Sequence, residues 1–110
     1  MADEKTIAEI RRERLSAKLR EILGSNNVYF QSPESIKMSY PCIRYKRGYD
    51  RTQYGDNIPY INRHSYELVV ISRDPTEPIA EKILQNFTYC RPGIPYVADN
   101  LNHFPFTVYW

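Results

Sequence analysis

The sequence predicts an α+β domain with two helices packed on a mostly antiparallel sheet, in the order α-β-β-β-α-β-β. Three observations carry this. Residues 7–23 form a capped stretch of helical periodicity, residues 62–73 contain an unbroken apolar run, and residues 104–110 alternate with period two. The chain has 110 residues, room for a single domain, 1–110, with one core.

In the first helix Thr6 and Glu9 have the spacing of a capping box, and Gly24 stands where a left-handed residue ends a helix, before Ser25-Asn26-Asn27. Leu15, Leu19, Ile22 and Leu23 fall within about 100° on a helical wheel and make the core stripe. Ile7 lies at the edge of that stripe and Ile10 well off it, so the first turns are either less buried or meet a second surface. Val28-Tyr29-Phe30 is a short strand, cut off by Ser32-Pro33. Residues 42–48 form the next strand after Tyr40-Pro41, with Ile43 and Tyr45 on one face and Cys42, Arg44 and Lys46 on the other.

Within 62–73, Leu68-Val69-Val70-Ile71 predicts a central strand buried on both faces. Asp74-Pro75-Thr76 caps a second helix over 76–86, whose apolar side is Ile79, Ile83, Leu84 and Phe87. Tyr89-Cys90-Arg91 is a short strand ended by Pro92-Gly93. An Asp99-Asn100 turn then feeds the last strand, 104–110. There Phe104, Phe106, Val108 and Trp110 share the buried face, opposite Pro105, Thr107 and Tyr109. Burying the terminal Trp stabilises by a few kcal/mol, about what ordering the last residues costs, so this strand is expected to stay docked.

The connection 49–60, YDRTQYGDNIPY, is long for a hairpin, whose loops usually run about two to five residues. Long loops in compact domains often carry function. The segment either becomes ordered against a partner, through Tyr49, Tyr54, Ile58 and Tyr60, or is a floppy surface connection.

A composition of 42% hydrophobic and 25% charged residues is that of a globular chain, and a net charge of +2 is too mild to argue for nucleic acid. Ten tyrosines against four Phe and one Trp fit surfaces that become buried against a partner, or a rim of amphipathic rings. Charge is uneven: between Lys37 and Arg51 lie five cations (Lys37, Arg44, Lys46, Arg47, Arg51) and one anion, Asp50. Interleaved with Tyr40, Tyr45, Tyr49 and Tyr54, these cations make 40–54 a candidate nucleic-acid surface, although a solvated face or subunit contact is the simpler reading. Cys42 and Cys90 stand alone and read as reduced thiols. With neither a signal-peptide core nor a run of spanning length, the chain reads as a soluble protein made in a cytoplasm.

No phosphate loop, HExxH, GxSxG or paired Cys/His set is found, and no cofactor or metal is expected. An acid–base set of His64, Asp99 and His103 is conceivable, but nothing in the spacing demands it, and structural roles are favoured.

The segments VYFQSPESIKMSYPCIRY (28–45), Pro59-Tyr60, SRDP (72–75) and YVADNLNHFPFTVYW (96–110) resemble tail terminator, or tail completion, proteins of the head–tail joining region (neck) of long-tailed bacteriophages. The match spans most of the chain and leaves the first helix weakly covered. It implies a structural, non-enzymatic virion protein at the tail–neck junction, assembled in the host cytoplasm. Such a subunit forms a hexameric ring with itself, caps the major tail tube protein, ends tube polymerisation and docks the head-completion or stopper protein. A head-closure (stopper or adaptor) role is the neighbouring alternative, and a small nucleic-acid-binding protein using 40–54 the alternative of another class. In the ring reading Ile7, Ile10, Tyr49, Tyr54, Ile58 and Tyr60 are the expected subunit or ring contacts. Genomic DNA passes transiently through the ring, and Arg44, Lys46, Arg47 and Arg51 are the candidate lumen or interface cations.

Overall fold

Strand alternation decides which side of the sheet the helices cover. The computed structural model describes residues 6–31, 38–48, 54–55, 58–59 and 65–110. Its elements are α1 (Ile7–Leu23), β1 (Val28–Phe30), β2 (Cys42–Arg47), β3 (Tyr54–Gly55), β4 (Ile58–Pro59), β5 (Ser65–Ser72), α2 (Pro78–Asn86), β6 (Cys90–Pro92), β7 (Tyr96–Ala98) and β8 (Leu101–Tyr109). The main sheet runs β1-β2-β5-β8-β6, with β7 also on β8. The β1–β2 pair is parallel and all other pairs are antiparallel. The predicted α+β order is present, with two additions: the β3–β4 ribbon inside the 49–60 connection, and β7.

Thr6 accepts from the Glu9 amide at 3.1 Å, and Gly24, at φ 79°, donates its N–H to the Arg20 carbonyl, so α1 starts and stops where its sequence directs. The second helix begins two residues later than expected. Asp74 closes a local turn on the Thr76 amide instead of capping, and Glu77 is the N-cap, followed by Pro78, whose missing N–H costs nothing in a first turn. Leu84, expected on the apolar side, is exposed, while Ile79, Ile83 and Phe87 are buried.

Both helices lie on the face formed by Ile43, Tyr45, Tyr66, Leu68, Val70, Phe106 and Val108, and Leu15, Leu19, Ile22, Ile79 and Ile83 close the core over it. Two polar anchors fix the docking. The buried Tyr45 hydroxyl meets Ser16 Oγ and also donates to the Arg12 carbonyl of α1 at 3.4 Å. Trp110 donates its indole N–H to the Arg11 carbonyl at 3.0 Å and meets Phe87 edge-on at 5.9 Å. The chain's last residue is thus tied to its first helix.

The apolar run of β5 is buried on both faces in part, as Leu68 and Val70 lie under the helices and Ile71 is buried on the other side. Val69 is half-buried and Glu67 exposed, because the two helices share one side; of the residues facing away from them, Ser65 and Ile71 are buried.

Pro105 sits inside β8, in the middle of the sheet, where proline is normally excluded. In an antiparallel strand the N and C=O of one residue point to the same side. The Pro105 carbonyl accepts from Gly93 at 2.8 Å, so its nitrogen also faces Gly93 and takes no bond from β5. That side is the gap between β6 and β7. A Cβ on Gly93 would stand 2.9 Å from Pro105 Cγ, so only glycine allows the approach.

Candidate functional site

The face of the sheet turned away from the helices is built from three cross-strand rows, open over the first two and buried at Cys42 and Ile71 in the third. One is Lys46–Glu67–Thr107–Arg91, the next Arg44–Val69–Pro105, and the third Cys42–Ile71–His103–Tyr96. Cations therefore stand on β2 and β6, with Val69 and Pro105 as an apolar floor between them, and β1 lies outside β2 as the edge strand. The result is a groove of about 790 Å³ whose lining, among the described residues, holds four cations (Arg44, Lys46, Arg47, Arg91) and one carboxylate, Glu67. Lys46 Nζ lies 3.4 Å from Glu67 Oε2, an exposed pair that offsets one positive charge.

Of the four candidate cations, Arg44 and Lys46 occupy this face as alternation requires. Arg47 follows Lys46 directly, so alternation gives it the helix-side register, opposite Tyr66. At the exposed end of β2 it borders the same groove, as the helix-side Tyr45, Leu68 and Phe106 also do. Arg51 lies outside the described residues. Arg91, which the sequence reading passed over, completes the set: it is far from 40–54 in sequence and joins that cluster only through the register of β6 on β8.

At the other end of the face, Tyr96 stacks on His103 with centroids 4.7 Å apart and planes 14° apart, and the Tyr96 side chain remains 51% exposed. Asp99 and Asn100 have φ of 53° and 61°, the two-residue hairpin turn that joins β7 to β8. Asp99 therefore serves the turn, and His103 stacks under Tyr96 with Nδ1 3.0 Å from the Leu101 carbonyl. His64 lies outside the described residues. Among the described residues no group of three His, Cys, Asp or Glu side chains is placed to hold a metal, and no helix is long and apolar enough to cross a membrane.

Cys42 and Cys90 face opposite sides of the sheet, on strands three spacings apart. That is about 14 Å, twice what a disulfide spans. Burial pushes the Cys42 thiol up to about 11, partly countered by Arg44, and raises Cys90 as well. Cys90 is less buried, so iodoacetamide at pH 8 should modify it first and leave Cys42 largely unreacted in the native protein. Equal rates would contradict the burial of Cys42. Because its pKa is raised in the folded state, its contribution to stability is complete below about 9 and is lost as pH rises through about 11.

Two further surfaces are apolar and open. Ile94 is 87% exposed and Val97 70%, on the β6–β7 edge, whose two strands pair with β8 alone among the described residues. Ile7 is 72% exposed in the first turn of α1, while Ile10 is half-buried. Tyr49 and Tyr60 lie outside the described residues; Tyr54 and Ile58 pair within the β3–β4 ribbon, with Tyr54 opposite Pro59 and Gly55 opposite Ile58. No protein-family model, curated protein or solved structure matches the chain.

Proposed function

We propose that this chain is a structural subunit of a phage neck, forming a hexameric ring that caps the tail tube, ends its polymerisation and presents a docking face to the head-completion proteins. The observation that carries the reading is the placement of the two exposed apolar patches. β7 pairs with the Leu101–His103 end of β8, whereas Ile7 lies one turn before Arg11, whose carbonyl holds Trp110 at the other end. From His103 to Trp110 an extended strand spans about 24 Å. A ring needs two different surfaces on each subunit, one to give and one to receive, because head-to-tail contacts are heterologous. Patches at opposite ends of one strand meet that need, and a two-fold dimer would use only one of them. The four segments resembling tail terminators supply the biological setting.

The test is to add the purified protein to polymerising tail tube protein. Tube growth should stop, with six copies at each capped end. Continued growth would defeat the terminator role, and capture on the head side instead would assign the ring to head closure.

A further inference from the structure

We infer that the open face of the sheet binds a single strand of nucleic acid, its phosphates on Arg44, Lys46 and Arg91 and a base against Tyr96. This goes beyond the ring reading and holds whether or not the chain forms a ring. The argument is one of charge and shape. Among the described residues, three cations on this face (Arg44, Lys46, Arg91) against one carboxylate, Glu67, make it attractive to a polyanion, and they stand on both banks, not in one cluster. Between the banks the floor is Val69 and Pro105, which offers nothing to a phosphate but does offer apolar contact to the flat face of a base. Tyr96, held parallel to His103 beneath it, is a stiffened ring at the end of that floor, the kind of surface on which bases stack. Thr107, between Glu67 and Arg91 in the first row, adds a hydroxyl.

A duplex fits the same surface less well. Its bases are already stacked inside, so it would use the cations and leave the apolar floor and Tyr96 idle. The β2 and β6 banks are about 14 Å apart, narrower than a duplex and wide enough for one extended strand. An acidic peptide would satisfy the cations but gains nothing from a stacking ring, which is why the observations favour a nucleic acid.

Fluorescence anisotropy with a labelled oligothymidylate of about twenty nucleotides tests this, with every variant first shown to melt like the parent. The parent should bind at about 50 mM salt and lose about twentyfold in affinity by about 200 mM, a log–log slope near −2 for three phosphates neutralised on a single strand. Arg44→Gln/Lys46→Gln should weaken binding about tenfold and flatten that slope by about 1.4, and Arg91→Gln should flatten it by about 0.7. Tyr96→Leu should weaken binding about fivefold or more with the slope unchanged, because stacking releases no counterions. Arg14→Gln/Lys82→Gln, on the helix side, should bind as the parent does.

Four results would overturn the inference: no binding at the lower salt, equal losses in the helix-side variant, tighter binding of a duplex of the same length, or competition by polyglutamate as effective as by unlabelled oligothymidylate. A fifth overturning result is unchanged binding in both Arg44→Gln/Lys46→Gln and Tyr96→Leu with a loss only in Arg91→Gln.

Discussion

Phe106→Ala should destabilise the domain by about 3–5 kcal/mol, the range for emptying a buried phenylalanine site. Phe106 is 5% exposed, on the helix-covered face of β8, and faces Leu68 of β5 on one side and Pro92 of β6 on the other. It therefore stands under the helices at the centre of the sheet, between β5 and β6. The helices cannot settle into the space without breaking the Tyr45–Ser16 and Trp110–Arg11 contacts, so the cavity stays largely open. Domains of this size have about 5–15 kcal/mol in total, and the loss should lower the melting temperature by more than about 12 °C. A melting temperature within about two degrees of the parent would mean that β8 does not pack as described.

Ile94→Lys/Val97→Lys should abolish ring formation and leave the fold intact. Both side chains are mostly exposed in the subunit, so their replacement should change its stability by no more than about 0.5 kcal/mol. In an interface each loses about 1.5–3 kcal/mol of burial, and the new ammonium groups must also be desolvated. The penalty recurs at every contact of a closed ring, which is why the effect on assembly should be large when the effect on folding is small. A variant that melts like the parent and sediments as a monomer is the expected outcome. Rings of parent size would place the subunit contact elsewhere.

Much of this architecture is legible in the sequence because local and tertiary signals agree. Thr6, Gly24 and the Leu15–Leu19–Ile22 stripe each specify α1 by a different route, and all three hold. The alternation Phe104–Phe106–Val108–Trp110 likewise marks one face of β8, although the strand begins earlier, at Leu101. What escapes are features set by pairing. β7 is three residues long and mostly exposed, so it has no hydrophobic pattern; its signal is Asp99-Asn100, whose readiness for positive φ suits a two-residue hairpin turn. The apolar run of β5 is two-sided at Ile71, which is buried away from the helices, but not at Val69, which faces a groove, and composition does not say where that second cover ends. Arg91 belongs to the basic cluster only by cross-strand register, which no window along the chain contains.

The candidate site is thus less legible than the fold. The basic stretch was visible, but its partners across the sheet were not. The exposed Ile94 and Val97 look in the sequence like ordinary members of a short connection after Pro92-Gly93. Only the pairing of β7 with β8 leaves them at an edge.

The most direct test of the ring reading is cryo-electron microscopy of tail tubes grown in the presence of this protein. The account predicts one ring of six copies at the head-proximal end of each tube, with Ile94 and Val97 of each subunit packed against a neighbour and Ile7 in a second, different contact. Tubes that end without added density, or a single copy at the tip with residues 94–97 facing solvent, would contradict it.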